Sequence, residues 1–375
     1  MRRLATRFGL WTGSALLVAA LGLSAMAAVT VYGGGSGRDC GWGRFGPDNP
    51  PGACWRPYSA RSPFNTRVPR APRIASNSAG KAARLAGFGL MTAVLGGVAG
   101  TRDDWDHPIF FSRPTDPLYT VHCAYSSSWG RCEVEGMSLR IPAAAQPAAG
   151  ADAHMAVIDQ RTGWEYDFWQ VRQKASSGGR LLVSYGGRTR VSGNRSRGLG
   201  SDATAAAFGL AAGVVRPAEL AAGNIDHALF MTVHCSNGHS AWPAGAYGAG
   251  RSCSEIGLSD RYAPAMGQHF ILTMSNAEIE ALHVARWKKT ILHAMARYGL
   301  YVGDTSNPTW GIQFESATSF TSFGQPDPWL ALGKRLGVPG WVEGGRQYYS
   351  FDLGSAVDWR QRLEVAAPCV SRGSC

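Results

Sequence analysis

The sequence predicts a mainly β protein, an antiparallel β-sandwich or jelly roll (concanavalin-like) with inserted short helices. Three observations carry that expectation. Charged residues are only 17% of the 375-residue chain, while Gly (48) and Trp (13) are plentiful, a turn-rich β composition. Short runs of β-branched and aromatic residues outnumber helical patterns. Most neighbouring runs are joined by short turns, which pair strands antiparallel within one domain.

The chain begins with Arg2, Arg3 and Arg7 before an uncharged stretch, Phe8–Tyr32, that contains Ala25-Met26-Ala27. A basic start, an apolar segment and a small-residue site make residues 1–27 a secretory signal peptide. An uncleaved membrane anchor is the alternative, because the stretch is long enough to span a bilayer. Residues 28–80 then form a disulfide-stapled, mostly irregular arm, and 81–375 a single sandwich domain with helical insertions. The eight cysteines are even in number and fall into close couples, as an exported disulfide framework requires. The expected bonds are Cys40–Cys54, Cys123–Cys132, Cys235–Cys253 and Cys369–Cys375. The net charge of +11 suits an acidic polysaccharide or an anionic envelope. The arginines are scattered rather than interleaved with aromatics, which argues against nucleic acid.

In chain order, Arg61–Pro69 reads as an extended edge segment because of its two prolines. Ala79–Val98 has helix-forming Ala and Leu broken by five glycines. Ile109–Ser112, Tyr119–Ala124 and Met137–Ile141 are short strands, and Arg180–Tyr185 is another. Asp202–Val215 is alanine-rich and expected to be helical, capped by Ser201 or Asp202. Pro217 and Gly223 bound a short helix that leads into a strand over Ile225–Cys235. Ser275 and Glu278 form a capping box. Ala285–Tyr298 is an amphipathic helix with Trp287, Ile291, Ala294 and Tyr298 on one face. Leu300–Gly303 and Trp310–Ser316 read as a hairpin, with Asp304 as a turn residue, and Arg346–Asp352 as a last strand.

The densest candidate chemistry lies in Ala153–Arg172. His154–Asp159 and Trp164–Val171 read as a hairpin closed through Gly163. Pairing Asp159 with Trp164 sets Ile158 against Glu165, Ala156 against Asp167 and His154 against Trp169. Side chains alternate along a strand, so His154, Glu165, Asp167 and Trp169 share one face. Two carboxylates about 7 Å apart at Cα suit glycoside cleavage, which needs an acid and a nucleophile or base. Trp169 is a sugar-stacking platform in this reading, and Trp164, Tyr166 and Phe168 are core. A second catalytic group is expected from Asp226, His227 or Glu315. Gln313 and Glu315, two residues apart, suit sugar hydroxyls or a structural Ca²⁺. No other cofactor is implied, because nucleotide, zinc and nucleophile-elbow motifs are missing.

The chain resembles a group of poorly characterised secreted bacterial proteins. The likeness rests on Ser62–Asn65, on the H-M-x-V-I-D…E-Y-D-F-W pattern of His154–Trp169, and on the I-D-H-A-L segment within Arg216–Leu229. More distantly, Glu165-x-Asp167 is similar to part of the E-x-D-x-x-E strand of laminarinase-like glycoside hydrolases, which are jelly rolls. Trp169 and Gln170 stand where that strand carries its third acid. The resulting expectation is an exported glycoside hydrolase acting on cell-envelope or environmental polysaccharide. A polysaccharide lyase on acidic glycans and a non-catalytic saccharide-binding protein are the alternatives.

Overall fold

The computed structural model describes residues 41–375 apart from Met91, Trp129, 246–249 and Asn307. The expected signal peptide, and Cys40 of the expected Cys40–Cys54 bond, therefore lie outside the described residues. The strands begin with β1 (Ala93–Leu95), β2 (Ile109–Ser112), β3 (Leu118–Cys123), β4 (Ser138–Arg140), β5 (Met155–Asp159), β6 (Trp164–Lys174) and β7 (Gly179–Arg190). They continue with β8 (Leu229–Val233), β9 (His269–Leu272), β10 (Leu300–Thr305), β11 (Gly311–Ile312), β12 (Gly340–Glu343), β13 (Arg346–Phe351) and β14 (Leu363–Val365). Among the described residues they make three sheets, ordered β2-β5-β6-β7-β3-β4, β11-β8-β10-β9-β14 and β1-β13-β12.

The protein is sheet-rich and the pairing mostly antiparallel, as the short turns implied. However, β2 and β5, β3 and β7, and β8 and β10 are parallel neighbours, each pair joined by a long crossover. A parallel pair cannot be closed by a tight turn, so helices and loops fill the connections. The helices include α1 (Ser78–Phe88), α2 (Pro217–Ala222), α3 (Asn276–Ala281) and α4 (Arg286–Arg297). The capping box at Ser275 and Glu278 and the left-handed Gly223 that ends α2 are as expected. Three expected disulfides, Cys123–Cys132, Cys235–Cys253 and Cys369–Cys375, are formed.

Alternation sorts the β5–β6 hairpin into two faces. Asp159 pairs with Trp164, Ile158 with Glu165, Ala156 with Asp167 and Met155 with Phe168, which is the expected register. Asp159 Oδ1 accepts the N–H groups of Arg161 (2.9 Å) and Thr162 (3.1 Å), and the loop closes from Gly163 N to Asp159 O. Gly163 holds φ +70°, where a Cβ would meet Ser192 Oγ at 2.1 Å. Val157, Tyr166 and Phe168 pack with Phe110 and Val121 in one apolar cluster. The opposite face, with Ile109, Phe111, Ala156 and Ile158, shares a larger core with Phe230, Leu300 and Ile291 of the five-stranded sheet and α4.

Three local expectations fail for identifiable reasons. Residues 202–215 are turns rather than a helix. Gly209 makes room for the Tyr58 hydroxyl and the Glu165 carboxyl, and Gly213 lets the segment run against backbone, where a Cβ would come 2.4 Å from Phe230 N. Leu300–Thr305 and Gly311–Ile312 are not a hairpin, because β8 inserts between them and pairs with both. Arg61–Pro69 holds a 3-10 turn at Pro63–Asn65 in place of an edge strand. Ser62 caps that turn, and Asn65 Nδ2 donates to the carbonyls of Pro57, Tyr58 and Ser59.

Candidate functional site

The acid-bearing face of β6 is covered. Glu165 and Asp167 are fully buried beneath Tyr58 and the 198–212 segment. Tyr58 Oη donates to Glu165 Oε2 (2.7 Å), Ala211 N donates to Glu165 Oε1 (2.8 Å), and Ser201 Oγ donates to Asp167 Oδ2 (2.5 Å). Burial raises both carboxyls, and the neighbouring Glu165 charge pushes Asp167 well above the aspartate range. Neighbouring buried acids disfavour a second negative charge, which is why Asp167 is raised the more. They form an internal brace with no opening to a substrate, not the floor of a cleft.

The other second-group candidates are equally committed. His227 Nε2 lies 3.0 Å from Glu219 Oε1, which also takes Arg216 Nη2 at 2.8 Å. Burial alone would raise Glu219, but Arg216 and His227 together hold it below the ordinary glutamate value. Arg216 also donates to the carbonyls of Pro51, Gly52 and Trp55 and lies over the Trp55 ring. Arg216 thus fastens residues 51–55 to the domain. Asp226 is half-buried and accepts from Asn224 Nδ2 (2.6 Å). Glu315 lines a narrow crevice with Pro47, Phe111 and Ser319, and burial lifts it to about 7 despite Arg216 nearby.

An open cleft of about 890 Å³ lies elsewhere, where the three sheets meet. Its walls are β1 and the β12–β13 hairpin on one side and residues 103–107 with Asp152 and His154 on the other. The ends of β8, β10 and β11 form its floor. Of the residues singled out from sequence, His154 and Gln313 line it. Gln313 Nε2 donates to Trp105 O (3.1 Å) and Asp106 Oδ1 (3.3 Å), which fixes the 105–106 backbone. Gln313 lines this cleft, whereas Glu315 lines the crevice beside Pro47. Among the described residues no group of three or more His, Cys, Asp or Glu is arranged to hold a metal ion.

Asp304 is the sharpest chemical feature of the cleft. Between Val302 and Asp304 the register of β10 against β8 shifts, and such bulges re-aim side chains beside working sites. Burial lifts Asp304 to about 7, the N–H groups of Thr305 (2.7 Å) and Ala205 (3.1 Å) moderate the rise, and the Asp152 charge adds to it. Asp152 is half-buried and accepts Trp169 Nε1 at 3.1 Å. Trp169 thus positions a cleft carboxylate rather than presenting its ring to a sugar. Asp106, also half-buried, is pushed well above the aspartate range by burial and then by Asp104.

His107 and His154 meet edge to face at 4.9 Å. His107 Nδ1 is 2.8 Å from Leu210 O, and His154 Nε2 is 3.2 Å from Ala203 O. Burial lowers both, so they are neutral at pH 7. At the rim Trp105 is 48% exposed and Trp341 is 40% exposed, the latter stacked on Tyr348 at 5.4 Å. Arg251 and Arg346 add positive charge to the lining, and the buried Thr232 Oγ1 has no hydrogen-bond partner.

Sequence reasoning missed Asp106, His107, Asp152, Asp304, Trp105 and Trp341. One signal was available: Asp103-Asp104-Trp105-Asp106-His107 packs three acids, an indole and an imidazole into five residues. No family model matches this chain, and neither a curated protein nor a solved structure is similar enough to lend it a function.

Proposed function

We propose that this protein is an exported carbohydrate-active enzyme that hydrolyses a glycan in the cleft between its three sheets. One observation carries the reading: Asp304, lifted by burial to about 7, and the half-buried Asp152 face one open cavity rimmed by exposed indoles. Glycoside hydrolysis needs such a pair, one carboxyl as acid and the other as nucleophile or base. Exposed Trp105 and Trp341 offer flat apolar faces to sugar rings, and Gln313 and Thr232 offer polar groups to hydroxyls. The disulfides suit an oxidising compartment, in keeping with the signal peptide. A jelly-roll scaffold would fit, since that architecture includes lectin domains.

The test is a panel of neutral and acidic polysaccharides with wild type, Asp304→Asn and Asp152→Asn. Each variant loses about 100- to 10,000-fold in kcat, the usual worth of a positioned acid or base. Thermal melts check that both variants remain folded. In wild type, turnover falls as pH rises through about 7, because Asp304 is then deprotonated. Full activity in both variants sinks the assignment. Glycan binding without turnover on any substrate points to a binding protein. Arg251 and Arg346 beside neutral His154 favour one second reading, β-elimination on an acidic glycan. Its unsaturated product absorbs in the ultraviolet, and a hydrolysis product does not.

A further inference from the structure

We infer that a second cavity, formed by α4 and the turn after α2, binds a strand of linear acidic polysaccharide. The cavity has a volume of about 580 Å³ and shares no lining residue with the cleft. Arg286, Lys289, His293 and Arg297 line it from α4. Steps of three, four and four residues keep side chains on one helix face. At a rise of 1.5 Å per residue, the row is about 16 Å long. A row of that length matches a chain of repeated negative charges better than a single ion.

The charges are only partly neutralised. Glu280 sits among them and is engaged by Lys289 (3.5 Å) and His293 (2.7 Å). The guanidinium groups of Arg286 and Arg297 have no ion-pair partner among the described residues. The cavity thus keeps an excess of about two positive charges before His293 is counted. Arg286 lies against Gly223, where a Cβ would come 3.2 Å from Nη2, so the turn after α2 fixes one end of the row.

The remaining lining chemistry selects a sugar acid. Asn224 and Thr290 offer hydrogen bonds to hydroxyls, whereas none of the lining residues is Phe, Tyr or Trp. Single-stranded nucleic acid needs aromatic platforms for its bases, and this cavity provides none. A carboxylate fits the forked donors of Arg286 and Arg297 in a two-point bond. The site stands whether or not the cleft is catalytic.

The test is fluorescence anisotropy of the full chain with a labelled oligogalacturonate and with its neutral methyl ester. The acid binds and weakens as salt is raised, and the ester does not bind. Arg286→Ala with Arg297→Ala weakens binding by at least about tenfold. Glu280→Gln strengthens it, because a competing carboxylate is lost. Arg335→Ala, which removes an exposed cation that lines neither cavity, leaves the affinity unchanged. Wild-type affinity in the double variant, or equal binding of the ester, overturns the inference. So does weaker binding in Glu280→Gln, or a loss confined to Arg335→Ala. Displacement by oligophosphate of equal charge at lower concentration than by oligogalacturonate overturns the sugar-acid assignment.

Discussion

Replacing Glu219 with Gln is the most revealing perturbation of the fold. Arg216 is 2% exposed and Glu219 1% exposed, so the substitution leaves a buried guanidinium without its anion. Arg216 would retain its carbonyl partners at Pro51, Gly52 and Trp55, but these are dipoles and not charges. Breaking a buried ion pair from one side costs about 3–5 kcal/mol. For a folded region of this size the unfolding entropy is about 0.7 kcal/mol/K, so the melting temperature falls by about 4–7 °C. A pH dependence distinguishes this mechanism from simple loss of packing. Glu315 stands near 7 and feels both Arg216, which lowers it, and Glu219, which raises it. Without the Glu219 charge, Glu315 ionises more readily and substitutes as counter-ion, so the deficit is larger at pH 6 than at pH 8. Calorimetric melts of wild type and variant at both pH values measure this. Limited proteolysis at residues 41–56 is expected to speed up, because Arg216 ties that stretch down. A deficit under about 1 kcal/mol at pH 6, or one that grows at pH 8, would refute the reasoning.

The remaining predictions concern the buried acid pair and two glycines. Glu165 and Asp167 have raised values, so their contribution to stability is full below the ordinary carboxylate range and is lost as pH rises through the raised values. Asp167→Asn keeps a donor toward Glu165 and an acceptor for Ser201 Oγ while removing one titration. Urea unfolding at pH 6 and pH 9 is expected to show a smaller alkaline loss in the variant, and an unchanged loss counts against repulsion between the two acids. Gly209→Ala places a Cβ 2.4 Å from Tyr58 Oη and 2.9 Å from Glu165 Oε1, an overpacking that costs about 1–3 kcal/mol in denaturant melts. Gly87→Ala, exposed in α1 with nothing within 4 Å, is expected to stabilise by about 0.5–1 kcal/mol in the same melts.

Local chemistry determined a good deal of this protein. The β5–β6 register follows from a five-residue strand, a turn closed at Gly163 and strict alternation, all within twenty residues. The caps at Ser275 and Gly223 and three short-loop disulfides are likewise decided by near neighbours. Alternation placed Glu165 and Asp167 on one face but carried no information about what covers that face. The cover comes from Tyr58 and from Ser201–Ala211, distant in sequence and irregular in backbone. Alanine content favoured a helix in that cover, but tertiary contact around Gly209 and Gly213 outweighed the weak propensity. The cleft has the same origin. Asp304 is an ordinary turn acid until a bulge in β10, a parallel partner in β8 and the Asp152 charge converge on it. Sequence determines which residues share a face, because that depends on backbone period. Which face meets water, and which acids meet each other, was decided only when segments far apart in the chain closed over them.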